Sequence, residues 1–293
     1  MYLIEYLRAN PVVFFVFTTL LGLIIGSFLN VVIHRLPVMM ERDWRGQCQE
    51  LLGQDEPAAD KPERYDLVQP RSRCPSCGTQ IRAMDNIPVV SYLLLRGRCA
   101  TCGWHIPLRY PGVEALTGLL SLAVAWRFGL SIHTISALFF TWSLIALSFI
   151  DLDTQLLPDT ITLPMLWAGL AFNLFGIHAT LWDAVVGAMC GYGILWGVYQ
   201  AFRLLTGKEG MGFGDFKLLA MLGAWMGWQN LPLTILLSSV LGAVVGIAMM
   251  LTKDHDREVP IPFGPYLAAA GWIGLMWGGD ILHAYLNLTM VGA

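Results

Sequence analysis

Eight stretches of apolar residues, at 12–34, 112–126, 132–150, 161–177, 182–204, 216–228, 231–251 and 263–286, take up most of this 293-residue chain. A helix needs about 20 such residues to cross the hydrocarbon core of a bilayer. In that medium each backbone amide and carbonyl must be satisfied internally, so irregular or open-edged structure is excluded. The expected fold class is therefore an all-α polytopic membrane protein with about eight transmembrane helices. The second and sixth stretches are short, and must start earlier or tilt. Composition agrees: 56% of residues are apolar and 13% charged, against roughly 25% charged in soluble domains. Mean hydropathy is +0.58. A soluble domain and a disordered chain are both poor fits, and the net charge of −3 offers no basic field for nucleic acid. The first stretch is too long for a cleavable signal and only Arg8 precedes it, so it reads as a permanent span.

Charge sets the orientation. Eleven of the 18 Lys and Arg residues fall between Arg35 and Arg109, and Arg203, Lys208, Lys217, Lys253 and Arg257 belong to loops of the same side. Arg8 and Arg127 alone remain opposite. The positive-inside rule puts the long loop in the cytoplasm and both termini outside. The layout is then a first span at 1–34, a cytoplasmic loop at 35–109, and a membrane core at 110–293. Within the loop stand Cys74-Pro75-Ser76-Cys77-Gly78 and Cys99-Ala100-Thr101-Cys102-Gly103. Two CxxC turns, each followed by glycine, match a four-thiolate, zinc-ribbon-like module. A reducing cytoplasm favours metal over the competing pair of disulfides. Four thiolates close the coordination shell, so such a zinc is structural. Cys48 and Cys190 stand outside the pattern and read as inert.

The third stretch ends Ile150-Asp151-Leu152-Asp153, followed by Leu157-Pro158-Asp159; the sixth begins Gly210-Met211-Gly212-Phe213-Gly214-Asp215. Parity puts both ends on the cytoplasmic face, so carboxylates far apart in sequence meet at one depth. Ionisable groups at such positions point to function. The chemistry that uses a close pair is peptide hydrolysis, since two carboxylates in a partly desolvated site hold one proton between them. The glycines before Asp215 suit close approach of an extended substrate and positive φ. Taken singly, Asp159 and Asp215 also stand where a helix N-cap would, and Asp153 where an interfacial charge would. A multi-span transporter or proton channel using paired carboxylates is the alternative, although no internal repeat supports it.

Several runs together carry a resemblance: Gly26-Ser27-Phe28-Leu29-Asn30 through His34-Arg35-Leu36-Pro37, the two CxxC pairs, Arg109-Tyr110-Pro111-Gly112-Val113-Glu114, the two aspartate motifs, and Pro262-Phe263-Gly264-Pro265. In this order, over nearly the whole chain, they resemble the bacterial type IV prepilin peptidases. The resemblance implies a bifunctional enzyme of the bacterial inner membrane. It would cleave the leader of prepilins and pseudopilins after a glycine on the cytoplasmic face. It would then methylate the new amino terminus with S-adenosylmethionine. The resemblance places the catalytic pair on Asp151 and Asp215, and the zinc ligands on Cys74, Cys77, Cys99 and Cys102.

The methyl-donor site is not legible. The glycine-rich run at 210–214 follows no strand and is a poor nucleotide loop. Asn30, Arg35 and Glu114 are boundary polar groups suited to help build such a site, and equally to bond helix ends. The acidic segment 48–68 reads as an insert. Trp44, Trp104, Trp126, Trp225, Trp228 and Trp272 read as interfacial anchors.

Overall fold

The computed structural model describes residues 2–53, 65–208, 210–251 and 262–290. Most of the acidic insert, with Lys61, Arg64, Lys253 and Arg257, lies outside them. Every expected apolar stretch carries a helix, although the one expected over 161–177 ends at Asn173, and the described residues form no strand. The α-helices are α1 (Tyr2–Ala9), α2 (Pro11–Leu51), α3 (Val90–Leu94), α4 (Arg109–Phe128), α5 (Ile132–Thr154), α6 (Asp159–Asn173), α7 (Leu181–Thr206), α8 (Phe213–Met226), α9 (Leu231–Leu251) and α10 (Gly264–Met290). Among the described residues, four helical segments are long and apolar enough to cross a bilayer: α2, α5, α7 and Trp228–Met249. Eight of these helices, α2 and α4 to α10, fall on the eight apolar stretches, and four segments meet the crossing criterion. The chain divides into two compact units, 1–126 and 127–293.

In the first unit, α2 continues past the expected boundary at 34 and through Pro37 to Leu51. Its buried residues Phe14, Thr18, Gly22, Gly26, Leu29 and Ile33 fall on one face at three- and four-residue spacing. That face meets α4 closely. A Cβ added at Gly22 would lie 2.5 Å from Ser121 Oγ, and one at Gly26 2.7 Å from the Glu114 Cα. Helices in lipid commonly associate through such small-residue contacts, where dispersion replaces the hydrophobic drive.

In the second unit α8 is the core. Every residue from Leu218 to Met226 is buried, which explains why a 14-residue helix of about 21 Å is present in a membrane protein: protein surrounds it. Helix α7 lies against it backbone to backbone. Gly187 meets the Gly223 carbonyl, and a Cβ at Gly191 would lie 2.5 Å from the Leu219 carbonyl oxygen. Trp225, expected as an interfacial anchor, is instead fully buried. Its ring packs on Phe140 and Phe172 and Nε1 donates to the Met165 carbonyl at 2.7 Å. Trp44, Trp126 and Trp228 are exposed, as anchors should be. The end of α8 is held by Asn173, whose amide donates to the Ala224 and Trp225 carbonyls at 2.9 and 3.0 Å.

Candidate active site and metal centre

Asp151 lies in the last turn of α5. The helix stops there because Gln155 takes a left-handed conformation and returns its N–H to the Asp151 carbonyl at 2.9 Å. Asp215 lies in the first turn of α8, three residues after the N-cap position Gly212. Both carboxyl groups are buried, at 5% and 9% exposure, and they are close enough for their charges to interact directly. Asp151 Oδ2 accepts the backbone N–H of Gly264, the first residue of α10, at 3.0 Å. A Cβ at Gly264 would lie 2.6 Å from that oxygen, so the amide reaches it only because the residue is glycine. The first turn of α8 is fixed against α7 by tilted ring contacts, Tyr199 with Phe213 and Phe216 at centroid distances of 5.5 and 5.7 Å.

The neighbouring acids have other work. Lys217 Nζ reaches the two Asp159 oxygens at 2.8 and 2.7 Å, tying the start of α6 to the first turn of α8 through an exposed pair worth up to about 1 kcal/mol. Neither Asp159 nor Asp215 is an N-cap: those positions are Pro158 and Gly212, neither with a side-chain bond. Asp153 is exposed. None of Gly210, Gly212 and Gly214 takes a positive φ, contrary to expectation. Gly214 is needed for a different reason, since a Cβ there would sit 2.8 Å from that of Leu157. Leu157 thereby wedges against both Gly214 and Gly264, the neighbours of Asp215 and Asp151.

The four cysteines converge. Their Sγ atoms all lie within 4.8 Å of one another, and Cys74 and Cys102 are 3.8 Å apart, the edge of a tetrahedron with 2.3 Å metal–sulfur bonds and far beyond a disulfide bond. The two turns are built alike. Gly78 and Gly103 return their N–H groups to the Cys74 and Cys99 carbonyls at 2.9 and 3.0 Å, while Cys74 and Cys99 donate to the Thr79 and Trp104 carbonyls at 2.9 and 2.8 Å. Both glycines are left-handed, at φ +70 and +72, which is why glycine follows each pair. The Thr79 hydroxyl and amide pull the Cys77 thiol down to about 6. Hydrogen bonds from the Cys102 and Thr101 amides lower Cys99. Cys102, although the Trp104 amide lowers it, is pushed up to about 11 by burial and by its sulfur neighbours. Four sulfurs so crowded become four thiolates only with a cation among them, and the site fits a tetrahedral ion. Cys48 and Cys190 are exposed and outside this cluster.

The boundary residues make local bonds in the first unit. Asn30 donates to the Tyr110 carbonyl at 3.0 Å. Arg35 is buried and donates to the carbonyls of Asp66 and Pro70 at 2.9 and 2.6 Å. Glu114 Oε2 accepts the Val89 N–H at 2.8 Å. Three features escaped the sequence reading. The role of Gly264 is visible only as a close approach. The contact of α7 with α8 was signalled by Gly187-Ala188-Met189-Cys190-Gly191, a small-xxx-small pattern in an apolar helix. His178, joined to Ser136 at 2.7 Å and packed on His133 and Trp225, had no sequence signal.

Comparison with known proteins finds two matching families. Residues 20–128 match the bacterial peptidase A24 N-terminal domain, and residues 138–247 the type IV leader peptidase family. The chain is 56% identical to a prepilin leader peptidase/N-methyltransferase of Stutzerimonas stutzeri, over 98% of both chains. It is 56% identical to one of Pseudomonas aeruginosa, again over 98% of both. With one of Aeromonas salmonicida it shares 55% over 98% of this chain and 99% of the other. No solved structure matches. A carboxylate pair buried at helix ends and a four-cysteine module, in a chain alike over its whole length to these enzymes, lead to one conclusion: the chain belongs to the type IV leader peptidase family.

Proposed function

We propose that this protein is a membrane aspartyl endopeptidase that removes the leader of type IV prepilins and pseudopilins after a glycine, and then N-methylates the new amino terminus with S-adenosylmethionine. It sits in the bacterial inner membrane with its dyad at the cytoplasmic face. The observation that carries the reading is the burial of Asp151 and Asp215 together at the end of α5 and the start of α8, with the Gly264 amide on Asp151. The likeness of nearly the whole chain to enzymes named for both activities supports the second reaction, and the clustering of Lys and Arg supports the cytoplasmic face.

One of the two carboxyls keeps its proton, because two charges so placed repel each other at low dielectric. The ionised one takes a proton from water as that water attacks the scissile carbonyl. The protonated one donates a hydrogen bond to the carbonyl oxygen as charge builds there. Collapse of the tetrahedral intermediate returns a proton to the departing amine. Which aspartate starts in which form follows the bond at Gly264: an N–H pointed at Oδ2 favours the ionised form at Asp151. Cys74, Cys77, Cys99 and Cys102 hold a structural zinc whose closed shell stiffens the loop.

Purified protein incubated in detergent with a prepilin and S-adenosylmethionine, followed by mass spectrometry, tests the reading. It predicts loss of the leader and gain of one methyl group on the new terminus, with no ion gradient present. An uncut prepilin would overturn it and restore the transporter alternative.

A further inference from the structure

The first unit contains a cavity of about 380 Å³, within the roughly 300–1,000 Å³ range of small-molecule sites. It is walled by the turn of α2 at 30–35, the start of α4 and the segments around the cysteine turns. Arg71, Arg73, Tyr65, Trp104 and Glu114 are among the residues that line it. Arg35, which also lines it, is committed: both bonds to the 66–70 segment make it part of the wall, with its guanidinium 5.7 Å from the Tyr65 ring.

Glu114 is the informative group. Its Oε2 accepts the Val89 amide at 2.8 Å, and the Ser27 hydroxyl also donates to its carboxylate. Among the described residues, no ion pair includes it. The Val89 amide is aimed by a tight turn in which Val90 N–H bonds the Pro88 carbonyl at 2.6 Å and Val89 sits at φ 60, ψ −45. That conformation is rare and strained for a β-branched residue, and strain of this kind collects at functional sites. A half-buried carboxylate, oriented by two donors and paired with no cation, is arranged for a cation that arrives with a ligand.

We propose that this cavity is the methyl-transfer site: it takes a sulfonium methyl donor of the S-adenosylmethionine type, and Glu114 is the carboxylate that receives the charge of the substrate amine. The proposal rests on the N-methylation reading given above. The rings of Tyr65 and Trp104 suit the donor's aromatic base, and Arg71 and Arg73 its carboxylate. In the transfer, the amino terminus first gives its extra proton to Glu114, which passes it on to water and is ionised again before the methyl moves. Its lone pair then forms the nitrogen–carbon bond as the carbon–sulfur bond breaks, and that electron pair stays on sulfur, which becomes a neutral thioether. Positive charge therefore moves from sulfur to nitrogen. A carboxylate beside the nitrogen favours that movement, whereas one beside the sulfur would oppose it.

The test uses the full-length, metal-loaded protein in detergent, with three readouts: calorimetric binding of S-adenosylhomocysteine, methylation of a pilin supplied with its mature terminus, and cleavage of prepilin. Tyr65→Ala is expected to weaken binding by about tenfold, as loss of a stacking partner does. Glu114→Gln is expected to keep cleavage, and binding within about threefold, yet lose about 100-fold in methylation, the lower range of a lost general base. Glu114→Asp should recover part of that loss. Unchanged binding in Tyr65→Ala, wild-type methylation in Glu114→Gln, or loss of cleavage alongside methylation in Glu114→Gln would each overturn the proposal. If wild type methylates and both variants match it, this site falls and the N-methylation reading stands. If wild type itself does not methylate, that reading falls.

Discussion

A single methyl group added at residue 264 would sit 2.6 Å from Asp151 Oδ2 and 3.1 Å from its Cγ, so Gly264→Ala pushes the carboxyl aside and weakens its hydrogen bond. Misplacement of a reacting group by about 1 Å costs on the order of 100-fold. Prepilin cleavage by this variant should fall by about that factor while its thermal melting stays near wild type; full-speed cleavage would show that the amide at 264 does not position Asp151. The aspartates themselves were legible because an ionisable residue stands out in an apolar run. Gly264 was not, although its motif was noticed, because only a distance shows what a missing side chain makes room for. The same holds for Gly214, whose absent Cβ admits Leu157 rather than serving the backbone conformation first expected.

Elements carry the second kind of information. Helix α8 has apolar residues on all sides because it is a core helix, and sequence periodicity does not distinguish a helix buried in protein from one facing lipid. Trp225 was misassigned for that reason. His178, in the connection between α6 and α7, is held down to about 4 by burial, with the neighbouring charge of His133 adding to the effect. The folded state therefore keeps His178 neutral, while an unfolded chain protonates it near 6.5. Its contribution is complete above that value and is lost as pH falls toward 4, on the order of 2 kcal/mol by pH 5. Melting curves at neutral pH and near pH 5 should show a larger drop for wild type than for His178→Gln; equal drops would mean the imidazole is not buried. The cysteine turns were fully legible, since spacing and the following glycines are properties of the local chain. About one zinc per chain is expected in the purified wild type and should be lost when Cys77 is replaced by serine, because a hydroxyl is a far weaker ligand than a thiolate. Protease sensitivity of the loop should rise with it, as structural metal contributes folding free energy directly. Retained metal would remove Cys77 from the ligand set.

For the molecule as a whole, apolar length and low charge content specified an all-helical membrane protein, and the helices stand where the apolar stretches are. Four of them meet a crossing criterion alone. The short α6 and α8 draw their stability from packing: α8 is enclosed by protein, and α6 supplies Asn173 to its end and Gly169 to the face of Trp225. Burial of that kind depends on contacts distant in sequence, which no local pattern reports. The payoff of the arrangement is the pairing of residues 151 and 215. The decisive measurement is mass spectrometry of full-length prepilin after incubation with wild type, Asp151→Asn and Asp215→Asn, each checked for insertion and melting. An amide keeps the shape but cannot carry the proton. The expected result is a cut and methylated pilin from wild type and an intact prepilin from both folded variants; a cut product from either variant would contradict the assignment of the dyad.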